Sequence, residues 1–256
     1  MRRTFVLVPA LIVSAWVTPV TPTPPAPARA AEDLLARSRA AYAALQSYTD
    51  SGTVTVEGAT LDRHTFRTRF RKPADFYFEF GPGEMVSAGL KIPLPGRLVL
   101  WKLGPDLEKW DERQRTHETF PAGQVSQIAP LAAAAYVTSG TISLIPSLLF
   151  PQAGLTGTLQ EIAEVSVAGT DNVGGHPCHK LVGVAQSVYP SGQVTNVRPI
   201  AIWLDARTLL VRKVFEDTPK GYPRGSISRL TIVIEPQVNP ALDDGQFRFA
   251  VPDAQE

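Results

Sequence analysis

One cysteine, Cys178, in 256 residues rules out an internal disulfide. The fold must stand on its core, and 44% apolar residues supply the material for one. Charge imbalance is nearly missing too. The formal charge is +1, and it falls to −2 when Arg2, Arg3 and Arg29 of the first thirty residues are set aside. A balance so close to neutral leaves no electrostatic footprint for nucleic acid and no polybasic patch for anionic lipid. The N-terminal apolar run, Phe5 to Val17, spans 13 residues, short of the ~20 that a membrane span needs.

Catalytic signatures are lacking as well. There is no Gly-x-Ser-x-Gly, phosphate loop or dinucleotide fingerprint. The densest group of metal-ligand types is His176-Pro177-Cys178-His179, with His64 and His117 the remaining histidines. On a strand His176 and Cys178 share a face while His179 points away. Structural zinc wants four ligands, commonly in paired motifs, and c-type haem wants two cysteines ahead of the histidine. We therefore read a strand with a buried thiol, and assign no metal and no cofactor. Asp243-Asp244 sits in an Asn-Pro-x-x-Asp-Asp-Gly stretch, which a turn explains better than acid–base chemistry. No catalytic residue is assigned, and the chain is read as a non-enzyme.

What is present begins with an export signal. Arg2 and Arg3 precede the apolar run, a Pro/Thr-rich stretch follows, and Ala28-Arg29-Ala30 offers a small-x-small cleavage site. Residues 1–30 are read as a signal peptide; ordinary secretory and twin-arginine routes both fit, and an uncleaved anchor is the alternative. Leu34, Leu35, Ser38, Ala41, Tyr42 and Leu45 then recur at helical spacing and predict an amphipathic helix over 31–47, with Glu32 and Asp33 in its first turn.

From Tyr48 the period becomes two. Thr53 to Val56 reads as a short strand. His64, Phe66, Thr68 and Phe70 alternate with Arg63, Arg67, Arg69 and Arg71, a basic face expected to be solvated. After a turn at Lys72–Asp75, Phe76, Phe78 and Phe80 face Phe66 and Phe70 across a hairpin. Gly81 to Gly96, rich in Gly and Pro, is expected to be loop. Leu98 to Leu103 is a strand, and Leu107 to Phe120 an exposed strand pair. Gln124–Val137 reads as helix and Ser143–Pro151 as an apolar, Pro-broken segment. Together they make a helical insertion around 122–151 with the character of a mobile lid. Strands resume at Leu159–Ala168, Cys178–Ser187 and Ser226–Glu235. The central hairpin Pro199–Asp217 alternates Ile200, Ile202 and Leu204 with Ala201, Trp203 and Asp205. The spacing predicts one domain, 31–256, whose sheet curls into a barrel or a sandwich.

Several of these pieces carry a resemblance in their order. Helix Leu34–Leu45 runs into Tyr48 and Gly52. Phe70-Arg71-Lys72-Pro73-Ala74-Asp75-Phe76, Leu100-Trp101-Lys102-Leu103-Gly104-Pro105-Asp106-Leu107-Glu108-Lys109 and Gly175-His176-Pro177-Cys178-His179-Lys180-Leu181 follow. Ile202-Trp203-Leu204-Asp205 with Val211-Arg212-Lys213, and Asn239-Pro240-Ala241-Leu242-Asp243 with Phe247-Arg248-Phe249 and Val251-Pro252, complete the series. Over essentially all of the mature region the chain resembles the periplasmic outer-membrane lipoprotein carrier (LolA-like) superfamily, and within it the predicted periplasmic proteins of unknown function. Leu90–Gly96 looks inserted, and none of Arg63, Arg67, Arg69 or Arg71 is matched to the carriers' lid-locking arginine.

The resemblance implies a mainly β (α+β) fold. It is a strongly curved antiparallel sheet forming an incomplete β-barrel, with helices over its concave face. It implies a periplasmic binding protein or carrier for a hydrophobic acyl chain, whether lipid or lipoprotein. An inner- or outer-membrane protein is a further expected partner. The expected cavity is lined by Phe66, Phe70, Phe76, Phe78, Phe80, Leu98, Leu100, Ile200, Ile202 and Leu204, and Leu131, Ile145, Leu148, Leu149 and Phe150 are expected to form its lid. An envelope-stress sensor or protein-interaction domain is the alternative, and a hydrolase stands third.

Overall fold

A computed structural model describes residues 26–122, 145–150, 162–188, 194–217 and 229–252. Strands Ser47–Glu57 (β1), Leu61–Arg71 (β2) and Asp75–Ser87 (β3) form an antiparallel meander. The period-2 phenylalanines fix its register, because a one-residue slip would turn them all to the other face. Phe66 lies across from Phe80, Thr68 from Phe78 and Phe70 from Phe76.

The expected loop Gly81–Gly96 is strand instead. β3 continues to Ser87, turns at Ala88 and Gly89, both at positive φ, and returns as Leu90–Leu94 (β4). Glycine within this strand marks a close approach rather than a turn. A Cβ on Gly83 would run into the Arg63 carbonyl and the His64 ring. Leu98–Lys102 (β5), Leu107–Asp111 (β6) and Thr116–Phe120 (β7) extend the sheet beyond β3. The β6–β7 pair is the expected hairpin, but Leu107, Trp110 and Asp111 in it are buried.

Pro146–Leu149 (α2) is a single helical turn. Ile162–Val173 (β8), His176–Val188 (β9), Val194–Asp205 (β10) and Val211–Asp217 (β11) form a second meander. Asp205 pins the β10–β11 turn. One of its oxygens accepts from the Arg207 and Thr208 amides at 3.0 and 2.9 Å, and the other from Arg212 Nε at 2.7 Å. Burial alone would push this carboxyl up, but the Thr208 amide, the Arg212 guanidinium and the Arg207 amide together hold it at about 2.

Arg229–Val238 (β12) pairs with β1 on one side and β11 on the other. The sheet therefore runs β7-β6-β5-β3-β2-β1-β12-β11-β10-β9-β8, with β4 hanging from β3 off this path. β7 and β8 stand at the two ends, so the barrel is incomplete.

Helix Ala26–Ala44 (α1) starts and stops earlier than the periodicity predicts, and Glu32 and Asp33 lie beyond its first turn. It cannot run to Ser47 because β1 begins there. The Gln46 and Ser47 amides both donate to the Asn239 side chain, at 2.8 and 3.2 Å. The helix lies along β8 and touches α2.

The sheet is apolar on both faces. The inner face carries the main core, shared by α1, α2 and strands from both meanders. On the outer face Tyr77, Val99, Trp101 and Trp110 are covered by Phe247 of the 3-10 turn Asp244–Phe247, with Leu242, Phe249 and Val251 packed around them. The basic face expected of β2 to be solvated is so at Arg63 and Arg67, while Arg69 and Arg71 are partly covered. Arg67 bonds Glu79 at 2.6 Å, and Arg69 bonds the Gln246 carbonyl at 2.7 Å. Arg71 bonds Asp75 and Asp244, each at 2.6 Å, and lies over the Phe247 ring. Arg69 and Arg71 hold the closing segment down, on the face away from the expected lid.

Candidate functional site

The inner face gathers the expected site residues. Phe66 and Phe70 of β2, Phe76, Phe78 and Phe80 of β3, Leu98 and Leu100 of β5, and Ile200, Ile202 and Leu204 of β10 all belong to one buried cluster. Alternation explains this: each set occupies one face of its strand. The Phe66 ring fits because β1 carries Gly52 beneath it, where a Cβ would collide with that ring.

Four of the five expected lid residues join them. Ile145, Leu148 and Leu149 are buried in the same cluster. Phe150 sets its edge against Phe70 and Phe76, ring centres 5.2 and 5.5 Å apart and planes at 89° and 80°. Such edge-to-face pairs are a favoured aromatic geometry. α2 has Pro146 in its first turn and no side-chain cap on Ile145. Leu131 lies outside the described residues.

Sequence reasoning missed the polar part of the face. Asp50 shares the inner side of β1 with Tyr48 and Val54, and is 5% exposed. The Tyr48 hydroxyl donates to Asp50 Oδ2 at 2.8 Å. The Tyr42 hydroxyl of α1 accepts from the Val211 amide at 3.1 Å, and its ring centre is 5.8 Å from that of Tyr48. Burial raises the Asp50 carboxyl to about 6, against the pull of the Thr68 hydroxyl, the Tyr48 hydroxyl and the Thr68 amide. Burial likewise raises both tyrosines, with the Asp50 charge adding to it. One acid interrupting Tyr48, Gly52 and Val54 on a strand face was the available signal.

Cys178 is fully buried on the other face with Ala201 and Trp203, and its Sγ donates to the His176 carbonyl at 3.3 Å. Burial pushes the thiol up, away from reactivity. His176 is 3.9 Å from Asp205. Among the described residues no three His, Cys, Asp or Glu side chains come together as a metal-ligand set. What the inner face offers chemically is a large aromatic and aliphatic surface with one small polar spot.

No family model matches the sequence, and no curated protein matches it. Solved structures do. Lipoprotein LppX of Mycobacterium tuberculosis is 13% identical, with a TM-score of 0.44 over 83% of this chain and 98% of that one. LprF of Mycobacterium bovis is 14% identical, with a TM-score of 0.46 over 82% and 93%. The LolA superfamily protein NE2245 of Nitrosomonas europaea is 8% identical, with a TM-score of 0.33 over 86% and 97%. At these values the function is argued from the site's own chemistry.

Proposed function

We propose that the protein is a non-enzymatic binding protein or carrier for a hydrophobic acyl chain, free or borne by a lipoprotein, working in the periplasm after export. The supporting observation is the seat of Ile145–Phe150 on the inner face. A single helical turn has little stability of its own. Its place is set by side-chain packing, and packing of that kind is exchangeable for a chain of methylenes. In this reading Phe66, Phe70, Phe76, Phe78, Phe80, Leu98, Leu100, Ile200, Ile202 and Leu204 line the seat. Leu131, Ile145, Leu148, Leu149 and Phe150 form the lid that the ligand displaces.

The magnitudes fit a carrier. Each buried CH₂ contributes ~0.8 kcal/mol, so about twelve of them gain on the order of 10 kcal/mol. Association and ordering remove ~4–15 kcal/mol. The remainder spans weak to micromolar binding, the range of a protein that must let go.

The test is saturable binding of a fluorescent fatty acid. Phe150→Ala removes two edge-to-face contacts of ~0.5–1.5 kcal/mol each from the competing lid. It should therefore tighten binding by about tenfold or more, while Phe78→Asp should abolish it. If wild-type protein binds no acyl probe, the carrier reading fails and a protein-interaction or sensor domain takes its place. Export belongs to the same proposal. Cleavage after Ala30 would take five residues from the nineteen of α1, and N-terminal sequencing of the processed protein should begin near Ala31.

A further inference from the structure

We propose that the arm formed by β4 and the end of β3 is a dimerisation element. Its apolar face docks on a second copy of this chain, each tip seated in the concavity at the base of the other's arm. The proposal stands independently of the acyl-binding reading.

β4 lies off the main path of the sheet and pairs with the end of β3. Residues directly across a ladder share a face. Asp62, Met85 and Ile92 form one such row. Ser87 and Leu90 form the next towards the tip, and Gly83 and Leu94 the next towards the base. Four large apolar side chains are exposed among the described residues, and two of them, Leu90 at 69% and Ile92 at 40%, stand on this one face. Single exposed apolar residues are ordinary, but grouped on one face they point to an interaction surface. Pro93 has no N–H to give along the free edge of β4. The arm is therefore poorly made for strand addition, and its apolar face is what it offers.

The chain carries the matching surface itself. At the base of the arm an open concavity of about 580 Å³ is lined, among the described residues, by Leu94, Pro95, Gly96, Glu112 and Arg113. Leu94 belongs to both features, so knob and hollow are neighbours on one molecule. Leu90 and Leu94 are separated by ~13 Å of strand. Two arms laid antiparallel about a two-fold axis near Ile92 therefore set each Leu90 over the other's Leu94, with Ile92 against Ile92. That is the self-complementary pattern a two-fold dimer needs. The charges fit the same arrangement. Glu84 is paired with Arg63 and Lys91, and Glu112 with Arg97. Asp62 accepts from the Thr60 hydroxyl at 2.9 Å, and Arg113 Nε donates to the Pro95 carbonyl at 3.2 Å. Neither forms an ion pair among the described residues, so Arg113 of each copy is left for Asp62 of the other. An anionic lipid surface would instead meet Asp62 with like charge.

Sedimentation velocity of the purified protein over a wide concentration range tests this. The weight-average mass should climb from one chain towards two. Leu90→Ser and Ile92→Asp should each hold it at one chain and leave the melting temperature unchanged, since both side chains are exposed in the single molecule. Asp62→Arg and Arg113→Glu should each weaken the dimer about tenfold or more, because the two-fold axis turns every replacement into a pair of like-charge contacts. The double variant Asp62→Arg/Arg113→Glu should restore it, a result that a damaged fold would not give. A wild type that stays at one chain throughout overturns the proposal, and binding of that single chain to phosphatidylcholine vesicles would assign the arm to a lipid surface instead. A dimer that survives Ile92→Asp, or a double variant no better than the single ones, overturns it as well.

Discussion

At the scale of single residues, two buried carboxylates behave oppositely. Asp205 has two backbone amides and Arg212 around it, so it is ionised throughout the working range, and it fixes a turn. Asp50 has the Thr68 and Tyr48 hydroxyls and the Thr68 amide beside it, yet burial dominates, lifting it from 3.8 to about 6. The sign follows from linkage. A carboxyl whose pKa is higher folded than unfolded binds its proton more tightly in the fold. Its contribution is full below about pH 4 and is lost as pH rises through about 6. At ~1.4 kcal/mol per pKa unit, the loss is on the order of 3 kcal/mol. Asp50→Asn should therefore flatten the fall in denaturation midpoint between those limits. A wild-type profile that rises through that window would show Asp50 to be better partnered than its surroundings indicate.

Among elements, the closing segment is the clearest case of parts holding one another. Asp243 caps the 3-10 turn reciprocally with Gln246, and the turn presents Phe247, fully buried, to Tyr77, Trp101 and Trp110. Phe247→Ala should cost ~3–5 kcal/mol. It should also red-shift tryptophan emission, since Trp101 and Trp110 lose their cover; an unshifted spectrum would mean the segment stays docked without that ring. The lid is tested at the same scale. Hydrogen exchange at 145–150 should be faster than at 200–215 and should quicken further when an acyl probe displaces the turn. Equal protection with and without probe would make α2 ordinary core.

The elements also show what the sequence could and could not reveal. The Phe76–Phe80 and Ile200–Leu204 faces were readable because alternation and burial coincide on them. Gly81–Gly96 was misread because glycine and proline punctuate loops more often than they mark close contact within a sheet, which is what Gly83 does. The cover over Arg69 and Arg71 was missed because their partners Gln246 and Asp244 lie more than 170 residues away in the chain. No local pattern carries such a pairing. Asp50 was passed over for a similar reason: its isolation comes from α1 and β2 closing over it.

For the whole molecule, the decisive strand is β12. It lies between β1 and β11 and is the only ladder joining the meander β1–β7 to the meander β8–β11 among the described residues. Ile232 is 2% exposed at that seam. Ile232→Ala should cost ~2–5 kcal/mol. Unfolding should remain a single transition, with Trp110 emission and protection of β9–β10 lost together. Two separated transitions would mean that each meander is stable alone.

That seam has a consequence for how the protein is made. β12 follows every other described strand, and more than a hundred residues separate the end of β7 at Phe120 from its start at Arg229. A chain delivered from its N-terminus, off a ribosome or through a translocation pore, holds a finished first meander long before its central neighbour arrives. Through that interval the phenylalanine face is unsealed and β1 offers an unpaired edge, a state that invites aggregation. Chains arrested after Asp217 should be captured by a holding chaperone and digested readily, while full-length chains escape both. Such a protein depends on chaperones for how much of it is obtained, and on its own packing for how long it lasts.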